Sequence, residues 1–225
     1  MTDPPYAPEV GRPYRKGGGY CCEGDTVETS VVVGELAPPT DGPLSVASFQ
    51  TIRLREYHEV GPDGLPARHR TVQTIQSMVD GLATHIYAFD LSEARVERIE
   101  GGTPGHPYRI KGSLWAVELT LPRALMRGEE HTLEYVTTFR SDGPVEPRFR
   151  RATHRRIEDA SISVKFHPDM LPEQIWWAQW ADYREPNDRI VDRRPMALDH
   201  DNAVSHHLDV IERAVAGFVW EFPPL

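Results

Sequence analysis

Two β-like runs, residues 50–60 and 67–79, flank Gly61-Pro62-Asp63-Gly64, and this stretch constrains the fold more than any other in the chain. Asp-Gly accepts the positive φ that a tight hairpin turn requires. A two-residue turn at Asp63 and Gly64 pairs Val60 with Ala67, His58 with His69 and Ile52 with Ile75. Ile52, Leu54, Val60, Ala67 and Ile75 then share one face. Arg53, Arg55, Glu59, Arg68 and Arg70 share the other. Such alternation belongs to a sheet covered on one side only.

The same period recurs along the chain. Strands are expected at Thr26 to Leu36, at His85 to Phe89, and through Trp115, Val117, Leu119 and Leu121 up to Pro122. Leu133, Tyr135 and Phe139 mark another. Ile162, Val164 and Phe166 alternate before His167-Pro168, and Ile175 to Trp180 and Phe218 to Phe222 complete the set. Residues 204–215 fit helical spacing and strand alternation almost equally well, so a strand or one short helix is expected there. The 20 prolines remove backbone donors and belong at turns and strand ends. Nine or ten short strands with turns between them predict an all-β, mostly antiparallel, two-sheet β-sandwich, immunoglobulin-like or jelly-roll-like, with at most one or two short helices. Residues 1–25, rich in Pro, Gly and Tyr, read as an extended arm, and residues 26–225 as a single sandwich domain.

Charge and composition narrow the function classes. A net charge of −9 argues against nucleic acid as the main partner, because duplex binding needs clustered basic charge. No apolar stretch reaches about 20 residues, so no helix is expected to cross a membrane. The first residues lack the basic and apolar segments of a signal peptide. The only cysteines, Cys21 and Cys22, are adjacent, a spacing that strains a disulfide. These features suit a reduced, cytoplasmic chain, and no cofactor motif is present.

Four constellations are candidates for chemistry. Asp199-His200-Asp201 with His206-His207 offers imidazole and carboxylate: His200, His206 and His207 as weak metal ligands, Asp199 and His200 as acid/base candidates. The plainer account is a polar loop before the last core segment. His58 and His69, opposed across the hairpin with Glu56 on the same face, would line a cavity, share a proton, or form a satisfied half-buried pair. Arg148-Phe149-Arg150-Arg151, followed by Arg155 and Arg156, forms a basic patch suited to a phosphate or an acidic protein surface. Arginines of this kind also guard sheet edges, and the edge account is the simpler one. Arg15-Lys16-Gly17-Gly18-Gly19 could cradle an anion but lacks the helix a P-loop needs. Trp176 and Trp177, consecutive in a strand, must point to opposite faces, so one of them stands outside the core.

Three further segments carry a resemblance: Leu121-Pro122-Arg123-Ala124-Leu125-Met126-Arg127-Gly128-Glu129; Phe166-His167-Pro168 with Leu171-Pro172 and Trp176-Trp177; and Gly217-Phe218-Val219-Trp220-Glu221-Phe222. With the Gly61–Gly64 hairpin they resemble the C-terminal β domain of some actinobacterial helix-turn-helix regulators of the Xre type, over roughly residues 45 to 222. The first 45 residues are too rich in Pro and Gly for a helix-turn-helix, so DNA binding does not carry over. The resemblance implies a sensing or protein-binding accessory module and supplies no site residues. The leading expectation is therefore a non-catalytic module that binds a small ligand or a protein partner, with Arg148, Arg150, Arg151, Arg155, Trp176 and Trp177 at its site and a homodimer allowed. The alternative is a hydrolase, cyclase or isomerase acting through His58, His69, Glu56, Asp199 and His200 between the sheets.

Overall fold

The computed structural model describes residues 29–34, 48–89, 94–111, 114–139, 145–153, 155–181 and 189–224. The expectations for the arm, for Cys21 and Cys22, and for Arg15 to Gly19 lie outside those residues. Among the described residues there are fifteen strands and no helix. They are β1 (Thr29–Gly34), β2 (Phe49–Val60), β3 (Pro66–Ser77), β4 (Leu82–Phe89), β5 (Ala94–Glu100), β6 (Thr103–Pro104), β7 (Tyr108–Lys111) and β8 (Leu114–Leu125). There follow β9 (Glu130–Phe139), β10 (Val145–Thr153), β11 (Ile157–Phe166), β12 (Gln174–Trp180), β13 (Ile190–Met196), β14 (Ala203–Ile211) and β15 (Ala214–Glu221).

The strands form two sheets packed face to face, as the alternation predicts. The first runs β13-β12-β15-β10-β1-β4-β8-β6, with β7 also on β8; the second runs β14-β11-β2-β3-β9-β5. Most pairings are antiparallel; β1 with β10 and β2 with β11 are parallel. The inner faces meet in one core, where Leu54, Ile75, Leu133, Ile162 and Phe166 of the second sheet pack with Leu119, Trp177, Phe218 and Trp220 of the first. Burial of such side chains is the main force holding the layers together.

The hairpin is present, with two corrections. Gly64 N–H bonds Gly61 O at 3.1 Å and Gly61 N–H bonds Leu65 O at 2.8 Å, so Pro62 and Asp63 are the central turn residues. Gly64, at φ 78°, is the left-handed residue that lets the chain rejoin the ladder. His58 does oppose His69, but Val60 opposes Pro66, and Thr51 rather than Ile52 opposes Ile75. The register shifts between Thr51 and Arg53, so Ile52 is a bulge and the inward face changes parity there. Thr51 is buried and Ile52 is not.

Other boundaries differ for physical reasons. The β8 strand runs past Pro122, because the ladder with β4 is irregular between the Thr84–Thr120 and Leu82–Leu125 pairs and needs no donor there. β13 contains Pro195 and lies at a sheet edge, where a missing donor is tolerated. Residues 204–215 are two strand segments, β14 and the start of β15. No helix is long and apolar enough to cross a membrane among the described residues.

Candidate functional site

A polar seam crosses the core between the sheets. Period-two alternation turns Glu56 and His58 of β2 inward, together with His69, Thr71 and Gln73 of β3 and Tyr135 and Thr137 of β9. From the opposite sheet, Tyr87 of β4 and Arg151 of β10 reach into the same layer, and all are buried. Arg151 Nη1 donates to Glu56 Oε1 at 2.9 Å, an ion pair joining residues 95 apart in sequence and on different sheets. Glu56 Oε2 and His58 Nε2 have no hydrogen-bond partner among the described residues.

Hydrogen bonds link the seam. Thr137 Oγ1 donates to Tyr87 Oη at 3.1 Å, and Tyr87 Oη lies 3.5 Å from His69 Nδ1. His69 Nε2 hydrogen-bonds Thr71 Oγ1 at 3.0 Å and lies 3.7 Å from Glu56 Oε1. A second chain runs from Tyr135 Oη to Gln73 Oε1 at 3.0 Å and from Gln73 Nε2 to Thr51 Oγ1 at 2.6 Å. The His58 ring lies between two others, 3.9 Å from His69 at 20° and 3.3 Å from Phe149 at 31°.

These surroundings keep the imidazoles neutral. Burial, reinforced by the positive charge of Arg151, holds His69 down at about 3. Burial, then His69 and Arg151, holds His58 well below the usual range. His85, buried edge-on to Phe49 at 4.9 Å, is lowered to about 3 by burial and by Arg151 and Arg155. Burial raises Glu56, against the lowering influence of Arg151.

Glu56, His58 and His69 each place a ligand atom within 4.8 Å of the others, the composition of a two-histidine, one-carboxylate metal site. Their orientation does not suit one. An imidazole lone pair lies in the ring plane, and a metal sits about 2.0–2.1 Å along it. Two rings stacked 3.9 Å apart at 20° cannot both aim at one ion. Arg151 already supplies the cation at Oε1.

The remaining candidates are dispersed. Asp199 Oδ1 accepts the backbone N–H groups of Asp201 and Ala203, each at 2.9 Å, so it anchors an exposed turn. His200 is exposed beside Asp201, 3.3 Å away. His206 packs on Trp177 at 4.1 Å, while His207 stands on the other side of β14 against Ser161 and Asp209. Thus His200, His206 and His207 do not converge, and Asp199 and His200 do not join Glu56, His58 and His69.

The arginines divide in the same way, which corrects the edge account of the basic patch. β10 lies inside the first sheet, between β1 and β15, so its arginines guard no edge. Arg151 is core, whereas Arg148 and Arg150 occupy the opposite face. Arg148 pairs with Glu146, and Arg150 lies over the Trp180 ring at 5.8 Å. Arg155 donates to Phe49 O at 3.1 Å and covers the Phe49 ring at 5.1 Å. Trp177 is fully buried in the core and Trp176 is half-buried outside, with Arg193 stacked over it at 3.4 Å. Sequence reasoning missed Arg151 as the partner of Glu56. Thr71 was legible, because it follows His69 at the period of two.

No family model matches the chain, and no curated protein does. Among solved structures, the M1 zinc metallopeptidase from Deinococcus radiodurans is similar at 14% identity over 76% of this chain and 42% of that one, with a TM-score of 0.39. A mutant of the same enzyme is similar at 13% identity over 77% and 39%, with a TM-score of 0.38. The chain spans about two fifths of the length of the structures it matches.

Proposed function

We propose that this chain is a non-catalytic, cytoplasmic accessory module with a regulatory role, of the kind its resemblance to the Xre-type C-terminal domains implies. It binds an anionic small ligand or the acidic surface of a protein partner on the outer face of the first sheet. The observation that carries this reading is the Arg193–Trp176 stack at 3.4 Å. Trp176 opposes Val219 on one side and Pro195 on the other, and Arg193 reaches diagonally across to it. A guanidinium lying flat on an indole keeps its edge donors directed outward. Glu221, 3.5 Å away, holds Arg193 from the side. Arg148 and Arg150 lie on the same face one strand beyond β15, but there Arg148 is 11% exposed and paired with Glu146, and Arg150 sits beside the buried Trp180–Ala178–Val215 cluster, so the open site centres on Arg193 and Trp176.

Catalysis by the inner seam is disfavoured by access. General acid–base chemistry needs its groups within hydrogen-bond reach of a substrate. Glu56, His58 and His69 are 1%, 7% and 1% exposed, with aromatic rings against the imidazoles.

The test is calorimetric titration of the full chain with inorganic phosphate, a nucleoside diphosphate and an acidic peptide. Binding of at least one is expected, with loss in Arg193→Ala and Trp176→Ala and partial retention in Arg193→Lys. Absence of binding by all three at millimolar concentration overturns the reading. So does binding that both alanine variants leave unchanged.

A further inference from the structure

Among the described residues the sheet edges are finished differently, and one strand carries few of the usual safeguards in its own sequence. An open edge strand offers unpaired backbone donors and acceptors, and chains normally blunt it with charge, proline, bulges or brevity. β13 carries Asp192, Arg193, Arg194 and Pro195 in succession. β5 carries Arg95, Glu97, Arg98 and Glu100, with a register break between Val96 and Arg98. β6 has two residues and includes Pro104, and β7 has four with a break between Arg109 and Lys111. β14 has nine residues, Ala203-Val204-Ser205-His206-His207-Leu208-Asp209-Val210-Ile211, with no proline, no glycine and a single acidic or basic charge, Asp209. It pairs with β11 alone among the described strands, and Ser205, His207, Asp209 and Val210 are exposed.

We propose that the free edge of β14 pairs antiparallel with β14 of a second copy of this chain, joining the two six-stranded sheets across a two-fold axis. The inference is independent of the function proposed above. A self-complementary strand pair is the simplest closed contact a single edge can make. Directly opposed residues share a face, so the axis passes through a residue and the inner side meets the inner side. An axis at His207, the strand's midpoint, overlaps all nine residues. Ser205 then opposes the second copy's Asp209 and His206 opposes its Leu208; Val210 is exposed and Ile211 buried, so opposed residues share a face only between Ser205 and Asp209. Within one copy His207 Nε2 already meets Asp209 Oδ1 at 3.3 Å and Nδ1 meets Ser161 Oγ at 3.2 Å, so an axis at His207 sets the two imidazoles opposite each other without a new ion pair. Moving the axis to Asp209 sets the two carboxylates directly opposite, which like charges disfavour.

The nine-residue contact belongs to the small, transient class of interfaces, below about 1,200 Å². Each copy carries a net charge of −9, so added salt strengthens the pair by screening mutual repulsion.

Sedimentation equilibrium of the full chain from about 1 to about 300 µM is the first measurement, the range in which a small interface assembles. A monomer–dimer equilibrium is expected. His207→Lys sets two ammonium groups across the axis and weakens it by roughly tenfold or more, with circular dichroism and melting unchanged. Val191→Lys, on the guarded β13 edge, leaves it alone. A second variant does not depend on how His207→Lys folds: His207→Cys in a Cys21→Ser/Cys22→Ser background is expected to give a disulfide-linked dimer on mild oxidation. Val191→Cys in that background is expected to stay monomeric. A wild-type chain that remains monomeric throughout, a dimer indifferent to His207→Lys, or equal crosslinking from positions 191 and 207 each overturns the proposal.

Discussion

The chain holds two groups of histidine and carboxylate side chains, and the fold treats them oppositely. Glu56, His58 and His69 are sealed between the sheets beside Arg151. Asp199, His200 and Asp201 occupy a solvent-exposed turn. Residue type is nearly the same in both places; dielectric environment and access are not. In the seam, a lost partner leaves a charge or dipole that water cannot reach, so each contact matters to stability. On the turn, water substitutes for any partner, and an ion pair there contributes little. The sealed group is therefore a structural device and the open one a local turn.

The sharpest way to break this comparison is to remove one side of the buried ion pair. Arg151→Ala strands Glu56 in the core and is expected to destabilise the chain by about 3–5 kcal/mol. Replacing both partners, Arg151→Met with Glu56→Leu, is expected to restore most of that loss, because neither change leaves a charge unpaired. Urea denaturation of Arg151→Met, of Glu56→Leu and of the double decides the matter. Additive losses would show that the pair is uncoupled and that the seam is no unit.

Acid should act next, and on the seam first. Folded His58, His69 and His85 have depressed pKa values, about 3 for His69 and His85, against 6.5 in the unfolded chain. The unfolded state binds more protons between those limits, so stability is complete above pH 6.5 and falls as pH drops toward 3. Each such imidazole contributes a slope of about 1.4 kcal/mol per pH unit. Glu56 works in the opposite sense: its pKa is raised, so the native state binds the extra proton and offsets part of the slope. Asp199, lowered by the backbone N–H of Ala203 and then of Asp201, loses its contribution only as pH falls below the carboxylate range near 3.8. A net loss of at least about 1.4 kcal/mol per unit is therefore expected between pH 6 and 5. A flat profile in urea unfolding over that interval would mean that the histidines take up protons without opening the core.

How much of this was legible varies by element. The pairing of His58 with His69 followed from an Asp-Gly turn signal and strict alternation, both local properties of 50–79. The bulge at Ile52 was not visible, because Thr51 and Ile52 are both acceptable strand residues and only the packing against β3 and β11 selects which one turns inward. The Glu56–Arg151 pair joins positions 95 apart on different sheets, and no local pattern specifies that register. The same gap produced the misplacement of β10 at an edge, since a run of arginines reads alike in an edge strand and in an inner strand whose alternate members face opposite sides. Trp176 and Trp177 were separable in advance because consecutive strand residues must diverge, although which one entered the core required the sheet.

The smallest expected effect lies in the exposed group, and it discriminates within that group. Asp199 supplies an acceptor to two backbone amides, and Asn202 beyond it holds a left-handed φ of 59° that closes the turn. Asp199→Ala removes the acceptor and is expected to lower the melting temperature slightly. Asp199→Asn keeps a side-chain oxygen in the same place and is expected to recover most of that change. His200, exposed and, among the described residues, paired with the exposed Asp201, is expected to tolerate alanine with no measurable shift. A His200→Ala variant as damaged as Asp199→Ala would mean that the imidazole bears on the fold itself, and the contrast between a sealed structural seam and an indifferent surface turn would no longer hold.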